Sequence, residues 1–124
     1  EALISSVQSI TGNLQKIIGV SIWPTERKEE VKERIRRKVA EVDDGDGVVI
    51  LTDILGGTPT NLSLSFLEDE KVEVVTGVNI PMLLTLARDR KGRSLREIGS
   101  LVKKSGRRGI ILAKEVFGLR RKPK

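Results

Sequence analysis

The residues that decide the fold are 47–61, GVVILTDILGGTPTN. Val48 to Leu51 is an uninterrupted apolar run, which is typical of a strand in a parallel sheet that helices cover on both faces. Asp53 follows at the carboxyl end of this run, and a Gly-Gly pair then leads to Thr58 and Pro59. Thr and Pro are common at the N-cap and first position of a helix. The stretch therefore predicts a strand, a glycine turn and the start of a helix.

This order of elements also predicts a ligand site. Ligands of open α/β sheets bind beyond the carboxyl ends of the strands, and the free N–H groups of a helix start favour a phosphate. Backbone N–H groups at Gly56 and Gly57, the Thr58 hydroxyl and the Asp53 carboxylate would form such a pocket. A purely structural turn, in which Thr58 only caps the helix, is the alternative. The stretch is not a P-loop, because the Lys-Ser/Thr pair is absent.

The composition limits the chemistry that is available. The chain has 124 residues, enough for one domain, with 38% hydrophobic and 32% charged residues. No apolar stretch approaches the ~20 residues of a membrane span. The chain contains no Cys and no His, which excludes disulfides, a zinc site and a Ser-His-Asp triad within it. We therefore predict no metal and no cofactor, and a cytoplasmic location.

A second stretch repeats the order of the first. Residues 72–76 predict a strand, and Gly77 then leads to Asn79, a common N-cap, and to Pro81 in the first turn of a helix that runs to about Arg88. Both helix starts are expected at the same edge of the sheet, because the carboxyl ends of parallel strands meet there. Asn79 and Pro81 are therefore predicted to form the rim of the site.

The remaining pattern predicts the other elements. They are helices at 1–11, 25–42, 58–67 and 94–105, and strands at 14–22 and 109–113. The alternation predicts a doubly wound, mainly parallel α/β sheet with helices on both faces, in a domain of residues 1–117. The acidic residues 43–47 predict a turn rather than a calcium loop, because Gly45 occupies a ligand position. The basic tail, 118–124, is interpreted as a solvated terminus rather than a nucleic-acid site.

The chain as a whole resembles the enzyme IIA domain of the mannose family in the phosphoenolpyruvate-dependent sugar phosphotransferase system. The resemblance rests on residues 44–61, DGDGVVILTDILGGTPTN, followed by residues 74–83, VVTGVNIPML, and it covers nearly all of residues 1–113. It implies a phosphocarrier that takes a phosphoryl group from HPr onto a His and passes it to an enzyme IIB. It also implies an indirect association with a membrane sugar permease. No contact with nucleic acid is predicted, because the chain has one Trp and two Phe and no recognised nucleic-acid motif.

The resemblance further implies roles for two residues of this chain. The residue that matches Asp53 holds the imidazole of the His in one tautomer, which leaves the other ring nitrogen free to attack. The residue that matches Thr58 helps to bind the phosphoryl oxygens. The family's His follows a first strand that this sequence does not contain, so we expect the chain to be part of a longer protein. The family also commonly forms dimers, in some members by exchange of the last strand. That strand matches residues 109–113, which follow a hinge-like stretch at 105–108.

Two other functions remain open at this stage. The chain could be a regulatory or interaction domain that kept the fold without the nucleophile. A phosphorylation assay would distinguish such a domain from a phosphocarrier. It could also be a receiver-like domain that is phosphorylated on Asp53, but such a site needs an acidic pair after the first strand to hold magnesium, and no such pair is present.

Overall fold

The computed structural model describes residues 2–12, 14–53 and 58–118, with the backbone alone at 58–60. The elements within these ranges are α1 (Ala2–Thr11), α2 (Lys28–Val42), β1 (Val48–Leu51), α3 (Thr58–Leu64), β2 (Val72–Val75), α4 (Ile80–Asp89), α5 (Leu95–Arg108) and α6 (Ala113–Val116). The tail beyond Gly118, the Gly-Gly pair and its two preceding residues lie outside the described residues.

The sheet of the described residues has two parallel strands, β1 and β2, which α3 connects. Val48 lies opposite Val72, and Leu51 lies opposite Val75. Both strands and the crossover helix occur where the sequence predicts them, which confirms a mixed α/β architecture. Val48 is buried, but the other three residues of β1 are half-buried. β1 is thus less completely covered than its apolar run predicts, and helices on both faces of a larger sheet stay a prediction.

The core lies where α5 packs against both strands and α4 packs against α5 and α1. Met82 of α4, Val102 of α5 and Val7 of α1 are 2%, 0% and 0% exposed. Val31 and Ile35 bury one face of α2, as the spacing of four residues predicts. Burial of such side chains contributes about 1.5–3 kcal/mol each. α5 begins with a capping box, in which Ser94 accepts from the Glu97 N–H and the Glu97 side chain accepts from the Ser94 N–H.

The predicted strand at 14–22 is wrong. Its described residues contain bends and irregular backbone, and Lys16 has a φ of 55°, outside the extended region. A strand requires a neighbouring edge that accepts its hydrogen bonds, and no described strand lies beside this segment. Side-chain hydrogen bonds hold this segment in place instead. Arg34 donates to the Ser21 carbonyl at 2.8 Å, and Arg90 donates to the Gln15 carbonyl at 2.8 Å.

The predicted strand at 109–113 is also wrong, as is the hinge before it. Residues 105–108 are the last turn of α5, and Gly109 is its C-cap. Irregular backbone follows, and then the single turn of α6, in which the Phe117 N–H donates to the Ala113 carbonyl at 3.0 Å. Ile110, Ile111 and Leu112 are 81%, 59% and 66% exposed, so no strand of the described residues pairs with this segment or covers it.

The acidic turn before β1 is confirmed. The Asp43 carboxylate accepts from the Gly45 N–H at 2.8 Å and from the Gly47 N–H at 3.2 Å. Gly47 has a φ of +98°, and a Cβ there would lie 2.9 Å from the Lys71 carbonyl oxygen. A residue with a side chain would therefore be strained and would push against the backbone that leads into β2.

Candidate functional site

The candidate site lies at the carboxyl edge of the sheet, where β1 and β2 end. The Thr52 N–H donates to the Val75 carbonyl at 3.1 Å, and the Thr52 carbonyl accepts from the Val78 N–H at 2.9 Å. Thr52 is 6% exposed, whereas Asp53, the next residue, is exposed. The backbone thus fixes the buried Thr52 between the two strand ends, and the chain then brings Asp53 to the surface. The sequence analysis predicts the carboxylate at this position, after the carboxyl end of β1.

Asn79 begins α4 at the same edge, because it follows Val78, the residue bonded to Thr52. Its Oδ1 accepts from the Met82 N–H at 3.1 Å, which confirms the predicted N-cap. Its Nδ2 donates to the Gly106 carbonyl at 3.0 Å. One half-buried side chain therefore caps α4 and ties it to the last turn of α5. This second bond joins residues 27 positions apart, and the sequence analysis missed it.

Pro81, the other predicted rim residue, lies at the junction of α4 and α5. A Cβ at Gly109 would lie 2.4 Å from the Pro81 Cγ, and a Cβ at Gly106 would lie 2.8 Å from the Met82 Cγ. The two helices can approach this closely only because both positions are Gly. A Gly inside a helical pattern is the sequence signal that could have indicated the contact.

The glycine turn falls on residues that are only partly described. Gly56 and Gly57 lie outside the described residues. Thr58 is the first residue of α3, so a helix does begin where the sequence predicts one. The predicted phosphate-binding roles of Gly56, Gly57 and Thr58 stay predictions, as does the role of Asp53. No group of three or more His, Cys, Asp or Glu side chains among the described residues could hold a metal ion.

A polar cluster fixes the corner before α2. The Glu26 carboxylate accepts from the Trp23 N–H at 2.9 Å and pairs with the Arg34 guanidinium. The hydrogen bond from Arg34, followed by that from Trp23, lowers the pKa of Glu26, and the same pair raises the pKa of Arg34. The Trp23 side chain is nevertheless 66% exposed. The cluster therefore stiffens a backbone corner, and Trp23 is not a core residue.

The family follows from a comparison over most of the chain. Residues 1–103 match the model of the family described as the PTS system fructose IIA component, EIIA-man. The chain belongs to this family. The resemblance seen in the motifs around Asp53 and Asn79 is thereby confirmed.

Two curated relatives show how this EIIA chain compares in length. It is 33% identical over 113 residues to the PTS system mannose-specific EIIAB component of Escherichia coli, and 31% identical over 98 residues to the PTS system fructose-specific EIIA component of Bacillus subtilis. The matches cover 89% and 78% of this chain, and 35% and 67% of the two relatives. The chain thus spans about a third of the length of the first relative.

Solved structures support the same fold. The EIIA component of Streptococcus agalactiae superposes with a TM-score of 0.82 at 27% identity, covering 92% of this chain and 88% of that one. The PTS IIA protein associated with the fucose utilization operon of Streptococcus pneumoniae gives 0.80 at 25% identity, with 94% and 86% covered. Among the described residues, no helix is both long enough and apolar enough to cross a membrane.

Proposed function

We propose that this EIIA chain relays a phosphoryl group in the cytoplasm from HPr to an enzyme IIB, and that the His which carries the group is supplied by residues outside the 124. The relay serves a membrane sugar permease only indirectly, through the enzyme IIB. The observation that carries the proposal is the exposed Asp53 at the carboxyl end of β1, next to the start of α4 and followed by the start of α3.

The proposed chemistry moves one phosphoryl group between two imidazole nitrogens. The P–N bond of the HPr phosphohistidine breaks as a P–N bond to the acceptor His forms, and a second transfer passes the group to the enzyme IIB. The Asp53 carboxylate accepts a hydrogen bond from one imidazole nitrogen of the acceptor, which leaves the other as the nucleophile. Gly56, Gly57 and Thr58 donate N–H and O–H groups to the phosphoryl oxygens.

The experiment adds the missing residues back. A protein extended upstream with its native sequence, when mixed with phosphorylated HPr, should gain one phosphoryl group per chain by intact mass spectrometry. The 124-residue chain, which has no His, should gain none. An extended protein that still accepts no phosphate would contradict the relay.

A second function shares the same fold and has one observation in its favour. Because the chain contains no His, it could act as a regulatory or interaction domain that is never phosphorylated. The same experiment separates the two functions, since this alternative predicts that the extended protein binds a partner without accepting phosphate.

We also propose that the protein is a homodimer that uses the segment after α5. Ile110, Leu112 and Phe117 are 81%, 66% and 73% exposed, and such a run of exposed apolar side chains favours burial against another chain. Exchange of this segment between two copies would cover these side chains. Light scattering should give twice 13.7 kDa for the wild type, and a double variant, Ile110→Glu with Leu112→Glu, should give 13.7 kDa. A wild-type monomer at micromolar concentration would contradict the dimer.

A further inference from the structure

A groove runs between α4 and α5 on the surface of the part of the chain that the structure describes. Its volume is about 300 Å³, which is at the lower end of the range for small-molecule sites. Five polar side chains line it, namely Thr85, Arg88, Asp89, Ser105 and Arg108. The described lining includes no residue of the unit from β1 to α3, to which Asp53 belongs.

The two helices run in opposite directions along the groove. Thr85 of α4 is bonded to Ser105 of α5. Pro81, four residues earlier in α4, lies beside Gly109, four residues later in the chain, where an added Cβ would be 2.4 Å from the Pro81 Cγ. Positions that follow Thr85 in α4 are therefore opposite positions that precede Ser105 in α5.

This antiparallel arrangement places a cation toward each end of the groove. Arg88 follows Thr85 by three residues, and Arg108 follows Ser105 by three, so the two arginines lie on opposite sides of the hydroxyl pair. At 1.5 Å per residue, their backbones are about 9 Å apart along the groove. Both arginines also lie in the last turn of their helix, where a cation is favourable. Arg107 shares that last turn but does not line the groove, so the position within the helix does not by itself explain the pair.

The polar groups of the groove keep bonding capacity for a ligand. Thr85 Oγ1 donates to Ser105 Oγ at 2.6 Å, and both side chains are half-buried. This bond uses one of the two hydroxyl hydrogens, and the other has no acceptor among the described residues. Arg88, Asp89 and Arg108 are exposed, and the ion pairs within the described ranges all lie between residues 26 and 41. The groove thus offers two guanidiniums, a hydroxyl donor and a carboxylate acceptor.

We propose that this groove is a binding site for a sugar bisphosphate, with one phosphate at each arginine and the sugar between them. A guanidinium binds phosphate oxygens through two parallel N–H donors, and a phosphate carries more negative charge than a carboxylate. The Asp89 carboxylate beside Arg88 repels a ligand made of anionic groups alone, but it accepts a hydrogen bond from a sugar hydroxyl. The pair of Thr85 and Ser105 donates its remaining hydroxyl hydrogen to a sugar oxygen.

The bound ligand connects the two helices that form the groove. One phosphate is bound by α4 and the other by α5, so binding requires the helices to stay in contact. The same contact includes the hydrogen bond from Asn79 to the Gly106 carbonyl. A ligand that binds only the folded chain stabilises it, and the stabilisation grows with the ligand concentration. The inference does not depend on the proposed relay, because it involves no phosphoryl transfer.

Calorimetric titration of the 124-residue chain with fructose 1,6-bisphosphate tests the site. We expect a Kd below about 1 mM at 50 mM NaCl, and binding at least about fivefold weaker for fructose 6-phosphate and for 1,6-hexanediol bisphosphate, which lacks the sugar hydroxyls. The test variant is Arg88→Gln with Arg108→Gln, and its Kd should rise at least about tenfold. The matched control is Arg93→Gln with Arg107→Gln, two exposed arginines outside the groove, and its Kd should rise less than about threefold. Fructose 1,6-bisphosphate at ten times its Kd should raise the Tm of the wild type and of the control by at least about 3 °C.

Four results would overturn the proposal. Fructose 1,6-bisphosphate that gives neither heat nor a shift in Tm would show that there is no site, and equal weakening in the test and control variants would show that the site is not this groove. Fructose 6-phosphate that binds as tightly as the bisphosphate would mean that only one arginine binds phosphate. Hexanediol bisphosphate that binds as tightly would mean that the ligand is not a sugar.

A second variant keeps both arginines and so does not depend on how well the test variant folds. Ser105→Ala removes the hydroxyl that has a hydrogen to donate, and we expect the Kd of fructose 1,6-bisphosphate to rise about threefold while that of 1,6-hexanediol bisphosphate stays unchanged. Equal changes for both ligands would contradict a bond from this hydroxyl to the sugar.

Discussion

Two strand-turn-helix units of this protein share an edge of the sheet but use their polar residues differently. In the second unit, from β2 to α4, the side chain of Asn79 makes two hydrogen bonds within the protein, one to each helix end that meets there. In the first unit, from β1 to α3, Asp53 is exposed directly after the buried Thr52. Similar sequences therefore produce a structural junction in one unit and a surface carboxylate in the other. The second unit holds the edge together, and the first is the unit to which we assign the proposed phosphoryl transfer.

The largest expected effect is that of Asp53→Asn on phosphoryl transfer. In the upstream-extended protein we expect the rate of phosphorylation by HPr to fall at least about 100-fold, because an amide does not hold the imidazole tautomer as a carboxylate does. The free energy of unfolding should change by less than about 0.5 kcal/mol, since Asp53 is exposed. Asp46→Asn, in an exposed turn before β1, is the matched control and should keep the rate. An unchanged rate of phosphorylation in Asp53→Asn would mean that the carboxylate of the first unit has no role in the transfer.

In the second unit, the expected effect of a substitution is on stability. Asn79→Ala removes both the cap of α4 and the bond to Gly106, and we expect the free energy of unfolding in urea to fall by about 2–3 kcal/mol. Asn79→Asp keeps the acceptor for the Met82 N–H but loses the donor to the Gly106 carbonyl, so an intermediate loss is expected. Ser94→Ala, which removes only a cap, should lose about 1 kcal/mol. If Asn79→Ala lost no more unfolding free energy than Ser94→Ala, the hydrogen bond from Asn79 to Gly106 would contribute nothing to stability.

A smaller effect is expected where α4 and α5 touch. Gly109→Ala places a Cβ 2.4 Å from the Pro81 Cγ, so the helices must separate, at a cost of about 1–2 kcal/mol in unfolding free energy. Gly99→Ala is the control, because its Cβ would meet only the flexible Glu73 side chain, and Ala is favoured over Gly inside a helix. Adding Pro81→Ala to Gly109→Ala should recover part of the loss, and the double-mutant cycle measures how much. If the two substitutions had additive effects on the free energy of unfolding, the contact between residue 109 and Pro81 would not limit how closely α4 and α5 approach each other.

The signals that predicted the structure correctly are local ones. Asn79 and Ser94 cap helices because their side chains reach the N–H groups of the next turn, which lie nearby in sequence. The apolar run at 48–51 and the Val-rich segment at 72–75 became strands that pair with each other. The segments at 14–22 and 109–113 have similar composition but no partner edge among the described residues, and composition alone does not specify such an edge.

What the sequence did not predict depends on residues that are distant in the chain. The bond from Asn79 to Gly106 requires the relative placement of two helices. For the site, the exposed position of Asp53 agrees with the sequence analysis, whereas its catalytic role stays a prediction.

The smallest expected effect is a dependence of stability on pH at the turn that leads into the first unit. The N–H groups of Gly45 and, to a lesser extent, Gly47 lower the pKa of Asp43 below its ordinary 3.8. A carboxylate with a lowered pKa stabilises the fold above its unfolded pKa, and this contribution is lost as the pH falls through the folded pKa. The turn that leads into β1 should therefore loosen in acid. The bonds of Asn79 should not, because neither the amide nor its partners titrate.

Thermal unfolding of the wild type and of Asp43→Asn from pH 7 to pH 2.5 measures this difference. The wild type should have the higher Tm at pH 7, and the gap should narrow as the pH falls below 3.8, because the protonated Asp43 resembles the neutral amide. The gap between wild type and Asn79→Ala should stay constant over the same range. A gap that narrowed equally for both variants would mean that acid acts on the fold as a whole. The structural contrast between the charged turn that leads into the first unit and the neutral junction in the second would then have no consequence for stability.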